Sequence, residues 1–287
     1  MKTIDTMVSD IYALLEDGQL ADGVDLDTVC EDFGREASDI LRDTLSRYDA
    51  KGKLRLSAIG KPDRKIFNAF MGIEGVPLKG PTYVKFLYGH LIESMVLALA
   101  RMAGHTVTDQ QKEVSVLGVK GHIDGRIDGR LMDVKSASDY GFKKFRKGTL
   151  HLDDSFGYID QLKAYAHAEG DTQYSWVAVN KVTGEICVLS YDEKDTDTPY
   201  HDKINYSITE RVAEVKKLVG GTLVPTECYS PVPDGLSGNI KLQSGCGWCE
   251  FRKHCWPEAT AYRYASGTRY LVHVEREPKV ADVPEGF

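Results

Sequence analysis

Apolar side chains in the first 48 residues recur at helical spacing: Ile4, Val8, Ile11, Leu14 and Leu15, then, after an Asp-rich break, Val29, Phe33, Ile40, Leu41 and Leu45. Two N-terminal helices are expected, as a covering layer or a partner contact. Residues 82–103 form a longer, more apolar helical stretch with Phe86, Leu87, Ile92, Met95, Val96 and Leu99 as the candidates for burial. From residue 111 the period shortens to two. Residues 111–118 read as a first strand, and two alternating runs then flank Asp128-Gly129. The runs YSWVAVNKV and EICVLSY read as a second hairpin joined at Thr183-Gly184. Cys187 alternates there with apolar neighbours and reads as a buried small hydrophobe. Residues 200–219 show the pattern of a polar amphipathic helix. Alternation of helical and strand-like segments predicts an α/β or α+β fold.

An Asp-Gly pair between alternating runs is the strongest short-range signal for a two-residue hairpin. Closing the turn at Asp128-Gly129 sets Ile127 opposite Arg130 and, continuing outward, Asp124 opposite Asp133 and His122 opposite Lys135. Directly opposed Cβ atoms lie roughly 4.5–5.5 Å apart, so the two carboxylates become close enough to share one divalent cation. Lys135, two residues beyond Asp133, returns to the same face. Ile123 and Met132 point the other way, into a core. Two acids alone suit a solvated polar face. The added ammonium suits a hard-cation site of the kind used in phosphoryl transfer.

Composition changes this picture little. The 287 residues are 42% apolar, enough for a sizeable core. We read no run long enough to span a bilayer, and the acidic N-terminus lacks the apolar stretch of a secretion signal, so the expected setting is cytoplasmic, without membrane. The net charge of −7 runs against a nucleic-acid binder. Basic residues are nevertheless concentrated at Lys143, Lys144, Arg146 and Lys147, and again at Lys61, Arg64 and Lys65. It is the local field that decides where a polyanion lies.

Asp124 followed by Asp133-Val134-Lys135 resembles the signature of the PD-(D/E)XK nuclease superfamily. The wider run GHIDGRIDGRLMDVKSAS resembles its RecB-like exonuclease branch, particularly members from tailed bacteriophages. Residues 54–72 look like the opening helix of that branch, and Gly89-His-Leu-Ile-Glu93 looks like its Gly-x-x-x-Glu element. His90 and Glu93 share a helix face. Gln161-Leu-Lys-Ala-Tyr165 matches its Gln-x-x-x-Tyr element. The resemblance implies that Glu93, Asp124 and Asp133, with the Val134 carbonyl, hold Mg2+ or Mn2+. It also implies that Lys135 orients the nucleophile or balances charge, that Gln161 and Tyr165 position the scissile strand, and that His122 stands behind the site.

From Gly220 the chain turns rich in Gly, Pro, Ser and Cys, too loop-like to build a core without a staple. Cys246 and Cys249, followed by Cys255, read in a cytoplasmic chain as a metal site. The arrangement resembles the C-terminal half of the iron-sulfur clamp of RecB-like helicase-nucleases and CRISPR-adaptation nucleases. There a cysteine precedes the proline of the opening segment, and here Lys61 occupies that place. Cys228 is the favoured fourth ligand because closing a short loop costs less entropy. Cys30 and His254 are the alternatives, and His254 would suggest zinc. The resemblance favours a 4Fe-4S cluster, with Zn2+ the alternative on ligand chemistry.

The expectation is therefore a restriction-endonuclease-like α/β core with a central mixed sheet flanked by helices. Residues 1–53 are the N-terminal helical segment, 54–220 the core and 221–287 a cysteine-cluster lobe and tail. The resemblance implies a metal-dependent deoxyribonuclease, most simply an exonuclease. Its partner would be linear or single-stranded DNA ends, in phage DNA recombination, replication or host DNA degradation, in the host cytoplasm if phage-encoded. The alternatives are a catalytically silent DNA-end or single-strand binding factor and an RNA-directed nuclease.

Overall fold

The Asp128-Gly129 turn builds the centre of the main sheet. Both residues adopt positive φ, 50° and 80°, the combination of a type I′ turn whose twist matches that of its strands. It joins β4 (Gly125–Ile127) to β5 (Arg130–Ala137) with Ile127 opposite Arg130 and Gly125 opposite Met132, in the expected register. The full order is β1 (Val107–Thr108), β4, β5, β6 (Gln173–Asn180), β7 (Ile186–Asp192). β5 and β6 are parallel and every other pair is antiparallel, so the sheet is mixed. The second expected hairpin is β6–β7.

The parallel step needs a crossover, supplied by α5 (Asp139–Arg146) and α6 (Tyr158–Glu169). On one face of the sheet α1 (Met7–Asp17) and α4 (Gly80–Met102) bury Met7, Ile11, Val96, Leu97 and Ala100 against Met132, Val134, Val177 and Val179. α2 (Leu26–Asp43), capped by the Asp25 carboxylate accepting the Asp27 N–H, packs on α4. The mixed α/β sheet flanked by helices is as expected. α4 differs in detail. Phe86 and Met95 are exposed rather than buried. At 23 residues α4 is also, by length and composition alone, able to cross a bilayer, which corrects the reading that no such run exists; here it packs on the sheet.

Residues 111–118 do not add to the main sheet. β2 (Glu113–Val116) and β3 (Val119–His122) pair only with each other, as a separate ribbon closed by a second positive-φ turn at Leu117 and Gly118. The ribbon lays Val114, Val116, Val119 and Gly121 inward, over α6 and the short helix Leu56–Ala58.

The structure, a computed structural model, describes residues 2–46, 51–197 and 206–283, and the chain divides into two units. The first holds residues 1–49, 54–60 and 80–214, and the second residues 50–53, 61–79 and 215–287. The first helices thus group with the sheet, and residues 61–79 group with the C-terminal part. Of the opening segment, only α3 (Asp63–Met71) and Leu56–Ala58 are helical. The helix expected at 200–219 is α7 (Ile208–Gly220), and residues 200–205 lie outside the described residues, as does Tyr48.

The second unit is more ordered than its loop-like composition suggests. An antiparallel sheet runs β10 (Thr260–Tyr264), β11 (Gly267–His273), β9 (Ile240–Lys241), β8 (Val232–Pro233). The alternation TAYRY and TRYLVH around Ser266-Gly267 is the sequence signal for it. Buried Asp234 ties the sheet together by accepting Lys241 Nζ at 2.8 Å and Arg269 at 2.9 Å.

Candidate active site

The pleat of β5 sends Met132 and Val134 into the apolar core and turns Asp133 and Lys135 to the α6 side. Asp133 is fully buried, with Oδ2 at 2.6 Å from Lys135 Nζ. The two form a close, largely buried ion pair. Gln161, projecting from α6, spans the pair. Its amide nitrogen donates to Asp133 Oδ1 at 3.3 Å and to Tyr165 Oη at 3.4 Å, and its oxygen accepts from Lys135 Nζ at 3.3 Å.

Asp124 sits one residue beyond the end of β4. The ladder stops at Gly125, whose φ of 151° turns the chain, and Asp124 Oδ2 accepts the Val134 N–H at 2.7 Å. The two acids are close without being paired across a ladder. Glu93, at mid-α4, accepts Gln111 Nε2 at 2.8 Å. Burial, then the Asp133 charge, pushes Glu93 up to about 7. Burial, then Asp133 and Glu93, raises Asp124 well above the carboxylate range. Burial raises Asp133, against the pull of Lys135. For Lys135 burial works the other way, but Asp133 and Asp124 outweigh it, and the ammonium is held more tightly than usual. Tyr165, nearly buried, is pushed up to about 12 by burial and by Asp133.

The structure thus brings Glu93, Asp124, Asp133, Lys135, Gln161 and Tyr165 into one electrostatic cluster. His122 does not join it: it lies exposed on β3, opposite Glu113 and 3.9 Å from its carboxylate. The expected pairing with Lys135 fails because the chain leaves the hairpin at Asp124. His90 is exposed on α4. The basic stretches are engaged locally, Lys143 with Asp139, Lys144 with Asp153, Arg146 with Glu185 and Lys65 with Glu250.

Sequence reasoning missed three contributors. Tyr158 places its ring 4.7 Å from Lys135 Nζ, a cation–π contact. Asp154 caps α6 by accepting the N–H groups of Tyr158 and Ile159 at 2.9 and 2.8 Å. Gln111 holds Glu93. The aromatic pair in SFGYID just before a helix was the available signal for the first two.

Among the described residues no three His, Cys, Asp or Glu side chains already stand in a metal-holding arrangement. Donor chemistry nevertheless fits a hard divalent cation: Asp133 is buried, and its charge raises both Glu93 and Asp124, so three carboxylates lie close enough to feel one another.

In the second unit Cys246 is buried, and its thiol is pushed up to about 11 by burial and by the approach of Cys228, Cys249 and Cys255. Asn68 on α3 donates to Cys255 Sγ at 3.7 Å. Cys30 is exposed on α2 in the first unit, and His254 is exposed.

No protein-family model matches the sequence, and no curated protein matches it. Among solved structures the chain is similar to the protein SSO0001, at 12% identity and a TM-score of 0.42, over 76% of this chain and 93% of that one. It is similar to an alkaline exonuclease, LHK-Exo, from Laribacter hongkongensis, at 14% identity and a TM-score of 0.35, over 60% and 91%. With LHK-Exo in complex with dAMP the values are 13%, 0.38, 59% and 90%.

Proposed function

We propose that this chain is a divalent-metal-dependent deoxyribonuclease that hydrolyses phosphodiester bonds from DNA ends. The observation that carries the reading is the buried Asp133–Lys135 pair on β5, with Asp124 and Glu93 alongside and Gln161 bridging it to Tyr165. Glu93, Asp124 and Asp133, with the Val134 carbonyl, would hold Mg2+ or Mn2+. When bound, the cation supplies a water of lowered pKa and polarises the phosphoryl oxygen. Lys135 keeps its proton through the working pH range, so its part is to balance charge developing on the phosphoryl oxygens rather than to act as a base. Gln161 fixes the ammonium by accepting from it, and Tyr165 orients Gln161 in turn. Tyr158 supports Lys135 from its ring face.

In the second unit we propose a structural centre held by Cys228, Cys246, Cys249 and Cys255, of 4Fe-4S type with Zn2+ as the alternative. The influence of Cys228, Cys249 and Cys255 on the Cys246 thiol supports it, and Cys228 is favoured over Cys30 because it is one of these three. Visible absorbance of anaerobically purified protein, with iron and zinc analysis, decides the metal. Cys228→Ser should lose it and Cys30→Ser should keep it.

The activity test is incubation of end-labelled linear DNA, circular DNA and matched RNA with Mg2+ or Mn2+. We expect mononucleotides or short products from linear DNA only, abolished in Lys135→Ala. Intact DNA with wild type and variant alike, together with tight end binding, would replace the enzyme by a silent DNA-end factor.

A further inference from the structure

The loop before α6 presents a large ring that the activity as proposed does not use. Phe156 is 64% exposed, and its ring lies parallel to that of Tyr158, with centroids 5.4 Å apart and planes 13° from parallel. Tyr158 is the ring beside Lys135 Nζ, and on its inner side it meets buried Phe145 at 6.1 Å. Phe156 is therefore one ring removed from the ammonium at the centre of the site.

Exposed as it is, the ring is not loosely held. Asp154 accepts the N–H of Gly157 through its carbonyl at 3.1 Å, and those of Tyr158 and Ile159 through its carboxylate. Gly157, at φ 76°, packs backbone to backbone on Gly60, so closely that a Cβ there would fall 2.3 Å from the Gly60 carbonyl carbon. Only glycine fits both the conformation and the approach. A pinned backbone on either side fixes where Phe156 stands. The same loop carries Asp153, which gathers Lys144 at 2.5 Å, and Lys144 lies 4.8 Å from the ring of Tyr140, itself 70% exposed. Rigid exposed aromatics beside cations are the composition of single-strand nucleic-acid surfaces, where bases stack on rings without regard to sequence.

We propose that Phe156 is a base-stacking platform, so that the site takes an unpaired strand, with the base of a nucleotide at or next to the Lys135 position lying on the Phe156 ring. The inference rests on the nuclease reading for the identity of the polymer, and it adds the form of the substrate. A base inside a blunt duplex has both faces covered by its neighbours and cannot reach the platform; a single strand or a frayed end can.

The test is fluorescence anisotropy of the full chain with labelled deoxyoligonucleotides in EDTA, which permits binding without cleavage. Wild type, Phe156→Ala and Phe156→Trp are titrated against a single strand, an abasic strand of equal length and a blunt duplex. Phe156→Ala should weaken the normal strand about tenfold or more and leave the abasic strand within about twofold. Phe156→Trp should restore binding and show quenching of its indole by the normal strand only. Equal weakening of both strands by Phe156→Ala, no weakening of either, or no single-strand binding by wild type overturns the platform, and then the ring serves another occupant such as a protein partner. A parallel cleavage assay with Mg2+ separates the two readings. Cleavage of single strands unaltered by Phe156→Ala sinks the platform alone, whereas base-dependent binding without any cleavage sinks the nuclease alone.

Discussion

Two hairpins follow each other along the chain, β2–β3 and β4–β5, and both turn on a pair of positive-φ residues ending in glycine. They do different work. The second continues through β5 into a parallel pairing with β6 and carries buried acids whose pKa values are pushed up. The first ends as a two-stranded ribbon whose inward face packs on α6 and whose outward face is ordinary surface: Lys120 donates to Glu113 at 2.7 Å, and that contact lowers the Glu113 pKa. Turn geometry is thus the same in both. What makes one of them a site is the layer laid over it, which excludes water from charges that have too few partners.

The largest effect that can break this distinction is on activity. Lys135→Met removes the ammonium paired with Asp133 and should lower DNA cleavage by about a hundredfold or more, whereas Lys120→Met on the ribbon should stay within about twofold. End-labelled DNA assays at matched protein concentration measure both. Equal losses would mean that the ribbon belongs to the site.

Stability against pH separates the acid cluster, here Glu93 on α4, from the ribbon by sign. Glu93 has a folded pKa of about 7 against 4.5 when free, chiefly through burial and then through Asp133. A raised acid favours folding below its unfolded pKa, and that contribution is lost as pH rises through 7. Metal-free wild type should therefore lose up to about 3 kcal/mol from this group between pH 4.5 and 7. Glu93→Gln should gain on wild type at pH 8 and not below pH 4.5, while losing activity. Glu113 is lowered instead, so its contribution is present above the unfolded pKa and lost as pH falls; Glu113→Gln should be slightly less stable at pH 8. Urea melts in EDTA at both ends of the range read these differences, and a Glu93→Gln variant less stable than wild type at pH 8 would contradict the burial of that charge.

The ribbon does reach the site at one position. A Cβ on Gly121 would lie 2.6 Å from the Tyr165 ring and 3.0 Å from Leu56 Cβ. Overpacking of this kind costs about 1–3 kcal/mol, so Gly121→Ala should lower the urea midpoint and, because the displaced ring is Tyr165, reduce cleavage as well. A midpoint at the wild-type value would mean that the ribbon does not press on α6.

How much of this was legible follows the range of each interaction. Asp128-Gly129 was readable because Asp and Gly are the residues a type I′ turn demands. Leu117-Gly118 was not, since a leucine at φ 49° carries no turn signal and is held there by the strands it joins. The hairpin register was right as far as Gly125, but extrapolating it put His122 beside Lys135, one bend too far. β1, two residues long, has no periodicity to detect. Glu93, Gln161 and Tyr165 were placed by resemblance, because contacts between α4, β5 and α6 have no local signature. Gln111 carried no motif, and for Tyr158 and Phe156 the aromatic pair before α6 was a signal that only the three-dimensional contacts made specific.

The finest contrast lies in the two turn glycines. Gly118 and Gly129 have φ of 78° and 80°, and a Cβ on either would meet nothing within 4 Å. Alanine at each therefore costs only the left-handed backbone, about 1 kcal/mol, and the two variants should melt alike. Their activities should also both stay near wild type, for a reason particular to the second hairpin. Asp128, beside Gly129, accepts the Thr106 N–H at 3.0 Å and lies 2.6 Å from His105 Nδ1, while His105 Nε2 reaches Asp10 on α1 at 3.1 Å. The His105 side chain is wholly buried, so the turn is anchored to α1 and to the chain before β1 independently of its glycine, and strain at Gly129 cannot slip the register that sets Asp124 near Asp133. Loss of cleavage in Gly129→Ala with retention in Gly118→Ala, at equal melting midpoints, would show that the register depends on the turn rather than on the His105 anchor.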